Sequence, residues 1–151
     1  IGVKCWEHLS LTADVQKVQF VGVAGTAGKT AAAGLLAAIL REAAFHVGFY
    51  RAGCEPLSAR IAIGGVSVDP VLLCQAAEAL SAAKPLPREA AELAAAARCF
   101  GAAGCKLAVV ELPDAGLASA LPNMPVCAVT AIGPDGFPNI LRSQKRTRLW
   151  S

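Results

Sequence analysis

The stretch that decides the fold is Phe20-Val-Gly-Val-Ala-Gly-Thr-Ala-Gly-Lys-Thr30. Its first half belongs to an apolar, β-branched run over 17–24, which predicts a buried strand. After the glycines, residues 30–45 carry leucine and isoleucine at helical spacing among alanines. A strand, a glycine loop and a helix in this order predict a phosphate-binding loop, because the backbone N–H groups and the helix N-terminus both favour an anion.

Two side chains of this loop have expected roles, with Lys29 on the β- and γ-phosphate oxygens and Thr30 on Mg²⁺. The first glycine of the general pattern falls at Val23, so the match is incomplete. An ordinary strand-to-helix turn with a surface lysine is the alternative, but the flanking strand and helix favour phosphate binding. The predicted nucleotide-binding residues are Gly25, Thr26, Ala27, Gly28, Lys29 and Thr30.

The rest of the chain alternates strands with helices. Further strands are predicted over 46–50, 106–111 and 126–132, and helices over 69–83 and 88–103, each helix with a capping signal. A loop is predicted over 51–58, and a hairpin over 60–68 turns at two glycines. Because the main strands are too apolar to be half exposed, the fold class is α/β, with a mostly parallel sheet and helices on both faces.

Glu111 ends an apolar strand, where open α/β sheets place their ligand crevice. Its carboxylate is a candidate Mg²⁺ ligand, directly or through water. The alternative is a strand-end acid that caps a helix beginning at Pro113-Asp114, and both readings stay open. Asp135 is better explained as a turn residue than as a second acid. His8 and His46 have no visible partners and are expected to be structural or solvated.

Composition bounds the class of protein. The chain has 151 residues, 55% hydrophobic and 17% charged, which fits one globular domain rather than disorder. The net charge of +3 lies mostly in the last ten residues. With aromatic residues at 5%, a nucleic-acid surface is not expected. No signal peptide or membrane span is visible, and a cytoplasmic location is expected. The basic residues of the tail are Arg142, Lys145, Arg146 and Arg148.

The six cysteines contain no Cys-x-x-Cys pair. Buried reduced thiols in a cytoplasmic protein are therefore expected rather than a disulfide framework. These residues are Cys5, Cys54, Cys74, Cys99, Cys105 and Cys127.

Residues 20–30 resemble the loop of the Mur ligase superfamily, whose version is Thr-Gly-Thr-Asn-Gly-Lys and which also lacks the first general glycine. The branch most similar to this chain is folylpolyglutamate synthase, and the resemblance covers residues 15–135 in order. Its further segments are His46-Val-Gly-Phe-Tyr-Arg-Ala-Gly53, Ala59-Arg-Ile-Ala-Ile-Gly-Gly-Val-Ser-Val68, Ala90-Ala-Glu-Leu-Ala-Ala-Ala-Ala-Arg-Cys-Phe100, Leu107-Ala-Val-Val-Glu111 and Val126-Cys-Ala-Val-Thr-Ala-Ile-Gly-Pro-Asp135.

That family phosphorylates a carboxylate with ATP and lets an amine displace the phosphate. The resemblance implies ATP and Mg²⁺ at Lys29 and Thr30, with Glu111 on a second metal. A folate-like substrate is implied only together with a further domain. The expected organisation is an N-terminal segment over 1–14, an ATP-binding domain over 15–135 and a basic irregular tail over 136–151.

This sequence departs from the family at four places. The loop asparagine is Ala27, and a Ser-Pro-His segment is replaced by Ala52-Gly-Cys-Glu55. Leu112-Pro-Asp-Ala-Gly116 replaces a glycine-rich stretch, and Gly136 replaces a metal-binding histidine. The family's carbamylated lysine and C-terminal domain have no counterpart. We therefore expect no independent ligation and assign no catalytic residue.

Three other interpretations stay open. In the first, the chain is a non-enzymatic interaction module whose uncovered apolar surface favours a homo-oligomer. In the second, it is one fragment of a complete ligase. A kinase with a phosphate loop is the remaining enzyme class. It would need a catalytic base and an arginine lid, and the tail holds the one arginine cluster of the sequence.

Overall fold

The computed structural model describes residues 13–81, 86–113, 117, 121, 123–131 and 148–150. Its helices are α1 (Ala13–Gln16), α2 (Lys29–Glu42), α3 (Leu57–Arg60), α4 (Pro70–Ser81) and α5 (Arg88–Ala102). Its strands are β1 (Gln19–Ala24), β2 (Val47–Tyr50), β3 (Ile61–Ile63), β4 (Val66–Ser67), β5 (Leu107–Glu111), β6 (Val126–Val129) and β7 (Arg148–Trp150).

Within these residues one sheet of seven strands has the order β4-β3-β2-β5-β1-β6-β7. The pairs β1–β5, β1–β6, β2–β5 and β6–β7 are parallel, whereas β3 pairs antiparallel with both β2 and β4. The predicted mostly parallel α/β sheet is confirmed. Val23 lies beside both Glu111 and Ala128 in register, so the carboxyl ends of three parallel strands meet at one edge.

The sheet has a hydrophobic core on each face, and successive side chains of β5 lie alternately in one core and in the other. Ala108 and Val110 lie in the larger core, to which α1, α4 and α5 contribute, whereas Val109 lies in the smaller core under α2. Helices on both faces are thus confirmed. Close packing requires small residues here, because a Cβ at Gly48 would come within 2.4 Å of Cδ1 of Phe100.

Several local predictions are confirmed. Asp69 caps α4 by accepting a hydrogen bond of 2.8 Å from the Val71 N–H. The hairpin between β3 and β4 turns at Gly64 and Gly65, whose φ angles of 61° and 83° lie in the left-handed region. Gly104, with φ 74°, follows the end of α5 as expected of a helix C-terminus.

Other elements differ from the prediction. The loop expected over 51–58 contains the start of α3, and β6 ends at Val129 rather than at residue 132. The irregular tail expected over 136–151 is wrong at 148–150, where β7 pairs with β6. Three residues are too few for a periodic signal, so pairing with the edge of β6 decides this element. Helix α1 crosses the expected boundary at 14/15 and buries Val15.

The cysteines divide into two groups. Cys99, Cys105 and Cys127 are buried, and burial raises the pKa of each thiol to about 11. Cys54 and Cys74 are exposed, so the prediction of buried thiols is wrong for these two. Cys54 lies in the loop before α3, and Cys74 on the outer side of α4. In the described part of the chain all five cysteines are free.

Some predicted features lie outside the described residues. They are Cys5, His8, Asp114, Gly116, Asp135, Gly136, Arg142, Lys145 and Arg146. His46 is exposed, as expected of a solvated histidine. Of the helices that the structure describes, none has the length and apolarity needed to cross a membrane.

Candidate functional site

The connection from β1 to α2 depends on two glycines. Gly25 has φ 138° and Gly28 has φ 78°, both in the region that side chains disfavour. Gly25 also lacks room for a side chain, because a Cβ there would lie 2.5 Å from Thr130 Oγ1 and 2.9 Å from the Ala131 nitrogen. Thr26, Ala27 and Gly28 are exposed, so the outer side of the loop is open to solvent.

The inner side of the loop is attached to the end of β6. Thr130 Oγ1 donates to the carbonyl oxygen of Ala27 at 2.5 Å and lies 3.3 Å from that of Ala24. The Thr26 N–H donates to the Ala131 carbonyl oxygen at 2.9 Å. Thr130 was not among the predicted site residues. In the sequence Thr130 lies inside the strand predicted over 126–132, so no local signal marked it.

The N-terminus of α2 points into this region. Its N-cap residue, Gly28, makes no side-chain capping hydrogen bond, and the first turn of α2 contains no acidic residue. The first N–H groups of a helix lack intrahelical partners and carry a partial positive charge. Lys29, half-buried at the first helical position, adds a full positive charge. This arrangement suits an anion such as phosphate.

Thr30, in the first turn of α2, and Glu111, the last residue of β5, are brought together. Thr30 Oγ1 donates to Glu111 Oε1 at 2.9 Å. Glu111 is 3% exposed, and its second oxygen, Oε2, is buried without a hydrogen-bond partner in the described structure. A buried carboxylate oxygen left unpaired is costly and calls for a further partner.

A divalent cation fits that requirement. Hydroxyl and carboxylate oxygens are the ligands that Mg²⁺ accepts, usually together with water and phosphate. Among the described residues, no group of three or more His, Cys, Asp or Glu side chains is placed to hold a metal. A cation at Thr30 and Glu111 would therefore complete its coordination with oxygens from a ligand and from water.

A second polar cluster lies after β2 and is built on Arg60, which is 2% exposed. Its Nε donates to the Glu55 carbonyl oxygen at 2.8 Å, and its Nη2 lies 2.8 Å from Glu92 Oε2. Its Nη1 reaches the Tyr50 hydroxyl at 3.4 Å. Arg60 thus joins the segment 51–56 to α5, a role that was not predicted from sequence. The one sequence feature that points to this role of Arg60 is its position directly before the apolar β3.

Burial and charge oppose each other at Glu92. Desolvation alone would raise the pKa of this carboxyl group, but hydrogen bonds from Arg88 and Arg60 outweigh it, so the pKa lies below its ordinary value. The pKa of Tyr50 is raised, chiefly because burial disfavours the phenolate.

Comparison with known proteins gives matches among solved structures alone. No family model matches the chain, and no curated protein matches it. Mycobacterium tuberculosis folylpolyglutamate synthase complexed with ADP is 20% identical, with a TM-score of 0.74 over 97% of this chain and 45% of that one. Escherichia coli FolC in complex with DHPP and ADP is 19% identical, with a TM-score of 0.75 over 91% of this chain and 35% of that one.

The bifunctional folylpolyglutamate synthase/dihydrofolate synthase from Yersinia pestis is 18% identical, with a TM-score of 0.79 over 99% of this chain and 47% of that one. The chain thus spans less than half the length of each of these three structures. At this level of identity the likeness is one of architecture. This chain therefore has the fold of the matching part of folylpolyglutamate synthases.

Proposed function

We propose that the chain binds Mg²⁺·ATP through residues 25–30 and belongs to the Mur ligase superfamily, as a nucleotide-binding unit of the folylpolyglutamate synthase type. The observation that carries the proposal is the pair formed by Thr30 and Glu111. It places a hydroxyl and a buried, half-satisfied carboxylate beside an uncapped helix N-terminus. A phosphate and a divalent cation satisfy both features together.

Each group has a separate task in this proposal. The N–H groups of the loop and of the first turn of α2 bind the phosphates, and Lys29 neutralises the β- and γ-phosphate oxygens. Thr30 and Glu111 would hold the cation, which when bound screens phosphate charge. Solved structures of similar fold are complexed with ADP or with AMPPNP and Mn, which supports the nucleotide and the metal.

Ligase chemistry requires more than these residues, in our proposal. The neighbouring structures are at least twice as long as the matched region, and one of them contains DHPP beside ADP. Binding a folate-like substrate and ligation would need additional chain, so the described residues supply the nucleotide half of a site. We further propose a cytoplasmic location, which the five free cysteines among the described residues support because reducing compartments preserve thiols.

Calorimetric titration with ATP and Mg²⁺ tests the proposal. We expect saturable binding by the wild-type chain. Lys29→Ala should weaken it by about tenfold to a hundredfold, because the charge-assisted contact to phosphate is lost. Lys106→Ala is the matched control, since Lys106 is exposed just before β5, at the opposite edge of the sheet. Absence of any heat of binding at millimolar ATP would disprove the proposal.

A second candidate function is self-association, which the exposure of two apolar side chains on α2 supports. Leu35 and Ile39 lie one turn apart on α2 and are 64% and 55% exposed. Neighbouring apolar side chains on one helix face are stabilised when a second surface covers them. We propose a second copy of this chain as that surface.

A further inference from the structure

Arg51 occupies the same edge of the sheet as the proposed metal ligands. It follows β2 directly, and Tyr50, the last residue of β2, lies beside Val110 in the parallel pair with β5. Glu111 is the next residue after Val110. Because adjacent strands are about 4.8 Å apart, Arg51 and Glu111 leave the sheet side by side. Across this edge the order is the phosphate loop after β1, Glu111 on β5 and Arg51 after β2.

The backbone of Arg51 is held firmly. Its N–H donates to the Arg60 carbonyl oxygen at 2.9 Å, and its own carbonyl oxygen lies 3.5 Å from Arg60 Nη1. Arg60 is in turn paired with Glu92 on α5. The starting point of the Arg51 side chain is therefore fixed relative to the main body of the fold.

The side chain of Arg51, in contrast, is held weakly. Its described contact is an ion pair of 3.1 Å with Glu55, four residues later, and the two side chains are 34% and 51% exposed. Ion pairs in contact with water contribute little, so an anion with more charge can displace Glu55. Guanidinium groups form two parallel hydrogen bonds with phosphate oxygens as well as with carboxylate oxygens, and a terminal phosphate carries more charge than Glu55.

We propose that Arg51 binds the terminal phosphate of a nucleoside triphosphate and releases Glu55 when it does so. This inference rests on the proposed function. Thr30 and Glu111 would hold a cation beside the loop, where it would neutralise charge on the terminal phosphates of a nucleotide. The terminal phosphate then lies on the β5 side of the loop, where Arg51 is the neighbouring positive charge from β2.

The test compares ATP with ADP, both with Mg²⁺. Arg51→Ala should weaken ATP binding by about tenfold and change ADP binding by less than about twofold, because ADP lacks the terminal phosphate. Arg41→Ala is the matched control, since Arg41 lies in the last turn of α2 at the other end of that helix. Glu55→Ala should leave ATP affinity unchanged or raise it, because it frees Arg51.

Each outcome decides a separate question. Equal weakening of ATP and ADP by Arg51→Ala, or no weakening, overturns the role of Arg51 while the proposed function stands. A wild-type chain that binds neither nucleotide overturns the proposed function itself. If Arg51→Ala does not fold, as seen by its circular dichroism, Arg51→Lys replaces it. That variant should lose part of the preference for ATP, since lysine keeps the charge and loses the planar fork.

Discussion

The two oxygens of the Glu111 carboxylate have different surroundings. Oε1 accepts the hydrogen bond from Thr30, whereas Oε2 is buried without a partner in the described residues. Such a group reduces the stability of the free chain, and in the proposed function a bound cation would give it a partner. An unpaired buried oxygen in a folded chain calls for an explanation, such as a bound ion or water or a functional role.

Glu111→Gln should therefore remove the dependence of ATP binding on Mg²⁺. We expect Mg²⁺ to strengthen ATP binding by the wild-type chain by about tenfold, and this gain to vanish in the variant because the amide carries no negative charge. Titrations with Mg²⁺ and with a chelator measure it.

Glu42→Gln is the control for the loss of one negative charge, because Glu42 is the exposed last residue of α2. A variant at Glu111 that keeps the full response to Mg²⁺ would exclude this residue as a ligand.

The placement of Lys29, Thr30 and Glu111 was predictable from sequence because the first two follow the glycine loop after β1 and the third ends β5, whereas their binding roles stay predictions. Parallel strands bring such positions to one edge. Thr130 and Arg60 were not predictable in this way. The bond from Thr130 to Ala27 joins residues 103 positions apart, and the partner of Arg60 lies on another helix. Periodicity within a window carries no information on such contacts.

At the scale of elements, the ion pair between Arg60 and Glu92 links the loop after β2 to α5. The Arg60 side chain is 1% exposed and that of Glu92 is 16% exposed. Removing one partner from such a pair leaves a buried charge unpaired, which is more destabilising than the pair is stabilising.

Glu92→Gln should lower the free energy of unfolding by about 2 kcal/mol at neutral pH, because Arg60 loses its counter-charge. Since the pKa of Glu92 is lowered in the folded chain, its contribution is complete above the ordinary value of 4.5. The contribution is then lost as the pH falls below 4.5 through the lowered pKa. Urea unfolding at neutral and acidic pH measures both effects.

Glu78→Gln, at an exposed position on α4, should unfold like the wild type. If Glu92→Gln loses stability on acidification as steeply as the wild-type chain does, Glu92 is not the source of this pH dependence.

Elements with strong local signals were predicted well, and short elements were not. Helix α4 has an aspartate cap followed by proline, and α5 ends before a glycine. Helix α3 and strand β7 have four and three residues, so tertiary contacts rather than propensity determine them.

For the molecule as a whole, the two faces of the sheet are covered unequally. Among the described residues, α2 is the helix packed on the face of the smaller core. Val21 and Val126 are paired in register and half-buried on this side. Together with Leu35 and Ile39 they give this face an apolar surface.

We expect the wild-type chain to self-associate and the double variant Leu35→Ser, Ile39→Ser to be monomeric, because its outward face of α2 is polar. Light scattering after size exclusion, over a series of concentrations, measures the change. The dissociation constant should rise by about tenfold or more. Val71→Ser is the control, since Val71 is 62% exposed on α4, on the other side of the sheet.

A wild-type chain that stays monomeric throughout the series, or a Val71→Ser variant that also dissociates, would contradict an interface through α2.

The α/β class could be predicted because strands and helices alternate along the sequence. The order of the strands could not, since β1 lies between β5 and β6, whose sequence positions lie far from its own.

The attachment of the loop over 25–30 to Thr130 has a consequence for synthesis of the chain. The loop leaves the ribosome before the strands that surround it, because β1 pairs with the later β5 and β6, and Thr130 lies 106 positions after Ala24. Contacts so distant in sequence form late and slow folding. Residues 25–30 therefore reach their final geometry after most of the domain has been translated. A nascent chain released before residue 130 would carry the whole loop sequence without the contacts that give the loop its geometry.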